Sequence, residues 1–205
     1  MPARNIVKYY AVDSFYHIYN RGVEKRKIFL DDNDYRYFLY LLKRHLGKEI
    51  AQDKAGRLLP NYRQEVELLA FCLITNHFHL LIWQKDLDGM TKFMRSICTS
   101  YTVYFNKKYK RVGKLLQGAF KAKRITTDEY YQHISRYIHL NPPSEPLEYE
   151  WSSIAYYSGE LQADWIKPQK ILDIFGSWQT YKLFLEDYAD HKEILDEIKY
   201  ELADH

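Results

Sequence analysis

Two cysteines, eight glycines and six prolines in 205 residues are few, and each shortage excludes something. Cys72 and Cys98 stand alone in apolar stretches, with neither metal-ligand spacing nor the density of a disulfide framework. They read as reduced core residues of a cytoplasmic protein. The glycines form no phosphate-cradling motif, so chemistry driven by a bound nucleotide has no visible seat. Long apolar runs are missing as well: the longest, Leu68 to Ile74, is far too short to span a bilayer, and the first residues hold no apolar signal core. Internal repeats and low-complexity tracts are also lacking. The expectation is a soluble intracellular chain with one substantial core, or one domain and a smaller helical appendage.

What the chain has in quantity is tyrosine, at 20 residues. A ring with a polar tip suits a surface that stacks on bases or lines a wet cleft, and equally suits ordinary half-buried positions. Net charge is only +3, but its distribution is uneven. Lys107, Lys108, Lys110, Arg111, Lys114, Lys121, Lys123 and Arg124 fall in one segment that contains no acid. From Lys182 to His205, eight acids face three lysines, the pattern of a solvated helix face. A basic segment of that density can neutralise phosphates.

Phe15 to Asn20 reads as a strand closed by Arg21-Gly22, followed by an amphipathic helix from about Asp34 to His45, with Asp31 and Asp32 ahead of it and Gly47 behind. The polar stretch from Lys48 to Tyr62 reads as a loop. Glu67 to Thr75 and His77 to Gln84 look like adjacent antiparallel strands, and Gly89 to Lys108 carries apolar side chains at helical spacing. Gly113 to Arg124 reads as a loop entering a short strand. Thr126 and Glu129 match a capping box opening a helix to about Leu140, where Asn141 meets Pro142 and Pro143. The order β-α-β-β-α-β-α is the plan of a ferredoxin-like antiparallel sheet with packed helices, an α+β fold. The remainder reads as helical with breaks at Gly159 and Gly176, giving a first unit over 1–158 and a C-terminal helical extension over 159–205.

Alternation along TNHFHLLIW puts His77 and His79 on one strand face and Phe78, Leu80 and Ile82 on the other. Two imidazoles so placed can share a metal, although composition alone yields roughly 0.3 such pairs by chance. They interrupt an otherwise apolar strand, and burying unpaired imidazoles is costly. In SRYIHLNPP, Tyr137 and Asn141 are one helical turn apart, as His133 and Tyr137 are; taken singly, Tyr137 reads as a half-buried helix residue and His133 as a surface one. Together they suggest a reaction. A phenol is a poor nucleophile at neutral pH unless its target is activated, and a divalent ion on two imidazoles and an amide oxygen can activate a phosphodiester. The products would be a 5′-phosphotyrosine and a free 3′ hydroxyl, and the conserved ester energy would allow rejoining without ATP.

The motifs YHIYNRG, IFLDDNDY, AFCLITNHFHLLI, YFNKKYKRVGKLLQGAFKAKRI, SRYIHLNPP and the WSS at Trp151 to Ser153 follow one another in an order that resembles the single-tyrosine HUH transposases, specifically the branch of REP-associated tyrosine transposases. The resemblance implies an HUH endonuclease fold with metal ligands at His77, His79 and Asn141 and the nucleophile at Tyr137. It also implies Mg²⁺ or Mn²⁺, single-stranded or hairpin DNA as substrate, and no nucleotide cofactor. The basic segment and Arg21 then become contacts to DNA, with Tyr109 and Phe120 able to stack on bases or, for Phe120, to anchor the loop. Many relatives have Gln where this chain has Asn141; the shorter amide keeps the carbonyl donor, and a water can bridge the difference. Relatives also commonly read Asn-Pro-Val where this chain has Asn-Pro-Pro. Some act as homodimers with shared sites and others as monomers.

Two other readings stay open. A binding protein of the same fold would grip a DNA hairpin without cutting it. A zinc hydrolase would use the histidine pair with water as nucleophile, although no Glu or Asp flanks the pair as a general base.

Overall fold

The computed structural model describes residues 10–142 and 144–187; the acidic segment expected to form a helix face lies mostly outside them. The chain runs β1 (Ser14–Arg21), α1 (Asp32–Leu46), β2 (Val66–Ile74), β3 (His77–Gln84), α2 (Gly89–Lys108), β4 (Lys121–Ile125) and α3 (Asp128–His139). Three shorter helices follow, α4 (Ile154–Tyr157), α5 (Gln169–Phe175) and α6 (Trp178–Glu186). The strands pair antiparallel in the order β2-β3-β1-β4, which is the expected ferredoxin-like plan. Among the described residues no helix is long and apolar enough to cross a membrane.

Alternation along the strands separates two cores. Tyr16, Ile18, Phe71, Leu73, Phe78, Leu80 and Ile82 meet Phe38, Leu41 and Leu42 of α1 and Phe93, Ile97 and Tyr101 of α2. On the other face Cys72, Leu81 and Ile125 meet Tyr131, Ile134, Tyr137 and Ile138 of α3, together with Tyr157 and Tyr181 from the following helices. Each buried large apolar side chain contributes about 1.5–3 kcal/mol, so the alternation is strongly enforced.

Side-chain caps set the starts of α1 and α3. Asp31 accepts from the Asp34 amide at 3.2 Å, and the Asp34 carboxylate accepts in return from the Asp31 amide, so α1 opens two residues ahead of the expected Asp34. The expected box of Thr126 and Glu129 does not form. Thr127 caps α3 instead, its hydroxyl accepting from the Tyr130 amide at 3.2 Å, because β4 holds Ile125 in the sheet and leaves Thr127 the extended residue at the helix entrance. At the other end α3 stops at His139, and Asn141 lies past its cap residue Leu140, as a residue before proline must.

The chain after α3 is integral to the sheet. The bulge between Leu68 and Ala70 leaves Leu69 out of the β3 ladder, and the Tyr157 hydroxyl donates to its carbonyl at 2.8 Å. Ser152 bridges Cys72, Ile166 bridges Leu68, and the Lys167 amide donates to the Leu68 carbonyl at 2.8 Å, so β2 is not a bare edge. Trp165 packs against Phe71 with ring centroids 5.8 Å apart. Deeper in, His139 Nδ1 lies 2.8 Å from the Tyr181 hydroxyl and its Nε2 2.7 Å from Ser153 Oγ, tying α3 to α6 and to the segment before α4.

Candidate functional site

On the sheet face that α3 covers, rungs of the ladder bring together side chains far apart in sequence. Tyr19 pairs with His79 on one side and Lys121 on the other, Arg21 pairs with His77, and His17 pairs with Lys123. Above them α3 sets Tyr137, whose ring stands edge-on to His79 with centroids 5.3 Å apart and to His17 at 6.0 Å. The phenol and the histidine pair, 58 residues apart in the numbering, therefore share one pocket.

His77 Nε2 lies 3.0 Å from Asn141 Oδ1, and its Nδ1 lies 2.7 Å from Asn76 Oδ1. Asn76 donates its amide nitrogen to the Lys25 carbonyl, which leaves the Asn76 oxygen toward the imidazole. A proton on His77 Nδ1 thus has an acceptor; with it there, the Nε2 lone pair faces those of Asn141 Oδ1, and that 3.0 Å contact is two ligand-type atoms side by side and not a hydrogen bond. Asn141 also hydrogen-bonds Tyr137. His79 is buried, its Nδ1 is 2.9 Å from His17 Nε2, and its own Nε2 has no hydrogen-bond partner among the described residues. Such an orphan is costly in a dry interior unless something binds there.

All three imidazoles are held neutral. Burial lowers His17 to about 3, with the Lys123 charge acting the same way. Burial, then the neighbouring His17 and His77, pushes His79 well below the usual histidine range. His77 is lowered by burial, with the Arg21 charge adding and the Asn141 oxygen, which would accept from a protonated imidazole, opposing. Neutral imidazole is the form that ligates metal. Among the described residues no group of three or more His, Cys, Asp or Glu is arranged to hold a metal ion, yet two imidazole nitrogens and an amide oxygen converge here. That donor set fits a divalent cation with its remaining positions open to water or phosphate. Burial raises Tyr137 to about 12, with Asn141 opposing, so the phenol carries its proton at neutral pH.

The basic segment divides. Lys121 and Lys123 lie on the site's face, with Lys121 Nζ 5.7 Å from the Tyr19 ring and Lys123 Nζ 4.4 Å from the Tyr130 ring. Arg21, expected in a turn, is the last residue of β1 and donates to Gln117 Oε1 at 2.6 Å. Arg124 pairs with Tyr16 and so stands on the opposite face. Lys108 is committed inward: its ammonium contacts Asp31 at 2.6 Å and the fully buried Asp34 at 2.7 Å. Tyr109, suggested as a base-stacking ring, donates to Asp34 at 2.8 Å, and Phe120 stacks on Tyr10. Arg111 donates to Asn106 at 2.8 Å, while Lys107, Lys110 and Lys114 belong to the helix end and the loop that follow the same run. His133, expected at the surface, is buried against Phe184 of α6, because the C-terminal helices cover that side of α3.

Sequence reasoning missed His17 and Tyr19. Both sit in the first strand, whose alternation could have shown them on one face, but nothing in the sequence announces which strand lies beside His79.

Residues 13–141 match the family model described as Transposase IS200 like, a span that includes His77, His79, Tyr137 and Asn141. No curated protein matches the chain. Among solved structures, that of a REP-associated tyrosine transposase bound to a REP hairpin is similar with a TM-score of 0.55 at 16% identity, covering 80% of this chain and 92% of that one. A crystal structure described as a transposase from Deinococcus radiodurans R1 gives a TM-score of 0.40 at 14% identity, covering 67% and 95%. At these identities the first likeness speaks for the fold alone, and the second carries no argument.

Proposed function

Because the chain belongs to the IS200-like transposase family, we propose that it is a metal-dependent transesterase that cleaves single-stranded DNA beside hairpins and rejoins the ends, with Tyr137 as nucleophile. The observation that carries the reading is the convergence of the Tyr137 ring, 5.3 Å from His79, with an imidazole nitrogen that is buried and unpartnered. Mg²⁺ or Mn²⁺ held by His77 Nε2, His79 Nε2 and Asn141 Oδ1 would draw charge from the non-bridging oxygens of the scissile phosphate.

The rest belongs to the chain's own side chains. The Tyr137 oxygen forms a bond to phosphorus while the bond to the 3′ oxygen breaks, and the phenol proton leaves to solvent or to that departing oxygen. A 5′-phosphotyrosine and a 3′ hydroxyl result. A 3′ hydroxyl from another end reverses the step with the same balance, so no nucleotide is consumed. Burial keeps the Tyr137 phenol protonated in the metal-free site, so its proton has to be given up in the course of the attack. Asn141, hydrogen-bonded to Tyr137 and with its Oδ1 3.0 Å from His77 Nε2, holds the nucleophile against the ligand side of the pocket. Lys121 and Lys123, with Arg21 at the far end of the same face, offer phosphate contacts along one side of the site, and Tyr19 offers a ring for a base. A solved structure similar in fold to this chain is described as bound to a REP hairpin, which supports a hairpin substrate here. We assign 1–158 to the transposase unit and 159–205 to the extension.

One alternative is favoured by a particular feature. Tyr137 is only 7% exposed, which suits a chain that binds hairpins without cutting them. Purified protein incubated with labelled hairpin-bearing single strands and Mg²⁺ or Mn²⁺ separates these readings. A denaturation-resistant protein–DNA adduct that disappears in Tyr137→Phe is expected. Tight binding with no cleavage supports the silent binder, and cleavage without an adduct supports hydrolysis by water.

A further inference from the structure

His17 is fully buried on the site's face of β1, at a position where a valine or isoleucine would pack at no polar cost. Its Nε2 is 2.9 Å from His79 Nδ1, and the two rings lie nearly parallel, 17° apart with centroids at 5.1 Å. The pair is a diagonal contact across the β1–β3 ladder, since Tyr19 and not His17 stands directly opposite His79. Around His17 are Lys123 on β4, Tyr19 on its own strand at 5.4 Å, Tyr137 of α3 at 6.0 Å, and His79.

Two tautomeric arrangements satisfy that contact. If His17 donates, His79 carries its other proton on Nε2, a buried donor pointing into the pocket with no acceptor. If His79 donates from Nδ1, its Nε2 presents a lone pair to the pocket, and the unpartnered proton moves to His17 Nδ1, away from the site. Only the second arrangement lets a cation satisfy the orphan. His77 has the matching device in Asn76, whose oxygen accepts from Nδ1 at 2.7 Å.

We propose that His17 is a positioning residue for the cation seat, accepting the Nδ1–H of His79 and thereby fixing the tautomer and ring orientation in which His79 Nε2 is a ligand. This rests on the reading of His77 and His79 as the seat. Partners that hold a ligating imidazole through its second nitrogen also raise its basicity, and their loss typically costs about 10- to 100-fold in metal affinity.

The test measures Mn²⁺ affinity by electron paramagnetic resonance on the DNA-free chain, in the wild type and in His17→Phe, His17→Gln and His77→Ala. His17→Phe keeps a ring but removes the acceptor, and weakening by about 10- to 100-fold is expected. His17→Gln restores an oxygen acceptor and recovers most of the loss. Independently of any variant's folding, long-range ¹H–¹⁵N spectra of the metal-free wild type should show His79 protonated at Nδ1. Unchanged affinity in His17→Phe, equal loss in His17→Gln, or a His79 protonated at Nε2 overturns the proposal. A wild type that binds no Mn²⁺, or a His77→Ala that binds it normally, overturns the seat itself and is read separately.

Discussion

Lowering the pH from 7.5 to 5.0 in the presence of a chelator should destabilise this protein by about 4 kcal/mol through two buried imidazoles alone. His17 and His139 are both fully buried, and burial lowers each from the ordinary 6.5 to about 3. The folded state therefore binds these protons more weakly than the unfolded chain does. Above pH 6.5 neither form is protonated and the contribution is complete; as pH falls from 6.5 toward 3 the unfolded chain takes up protons and stability drains away. At pH 5.0 each group has lost about 2 kcal/mol, from 1.36 kcal/mol for each of roughly 1.5 pH units. His45, His77 and His79 shift in the same direction and steepen the fall. Asp31 and Glu67 are lowered instead, and their contribution fades only below the ordinary carboxylate range, outside this interval. Urea unfolding followed by circular dichroism reads the effect: with a slope of about 2 kcal/mol per molar, the midpoint should drop by about 2 M. His139→Gln keeps polar atoms beside Tyr181 and Ser153 but cannot titrate, and should remove about half of the fall. A loss below about 1 kcal/mol over the interval, or a slope unaltered by His139→Gln, would refute the reasoning.

Three further outcomes are expected. Replacing Lys121 and Lys123 by alanine should weaken hairpin binding and reduce the slope of log affinity against log salt by about 2, measured by fluorescence anisotropy. Lys108→Met should leave that slope unchanged but cost about 1.5–3 kcal/mol in urea unfolding, because it removes the cation paired with the buried Asp34 carboxylate and leaves that group to its neutral donors, Tyr104, Tyr109 and the Leu30 and Asp31 amides. Gly22→Ala should destabilise by about 1–3 kcal/mol and lower Mn²⁺ affinity, since a Cβ there would meet the Arg26 carbonyl at 2.2 Å while the Gly22 amide is bonded to Asn76 at 2.9 Å, beside His77.

Much of this architecture was legible because it is written in alternation and punctuation. The strand carrying His77 and His79 declares its two faces through Phe78, Leu80 and Ile82, and Pro142 announces the end of α3. What escaped depends on pairing across long separations. Lys108 and Tyr109 look like members of a basic stripe until α1 brings Asp31 and Asp34 beneath them. The basic run splits between sheet faces at Lys123 and Arg124, a division visible only once β4 is in register with β1. His17 resembles any strand histidine until β3 is laid beside it. His133 seemed solvated because the covering element, α6, enters the chain about 45 residues later.

On the proposed reading, the alternation of β3 ties the aim of the two imidazoles to the folded register. Sliding β3 by one residue along β1 would turn both imidazoles into the core and set Phe78, Leu80 and Ile82 beneath α3. The cost of exposing those apolar groups guards the register, so a chain that keeps this fold and both histidines keeps them aimed beneath α3. Tyr137 has no ladder to lock it, since it is carried by α3 and placed by packing among Tyr131, Ile134 and Ile138. Were the proposed phenol replaced, the imidazoles would stay aimed where they are, and the proposed cation seat would outlast its nucleophile.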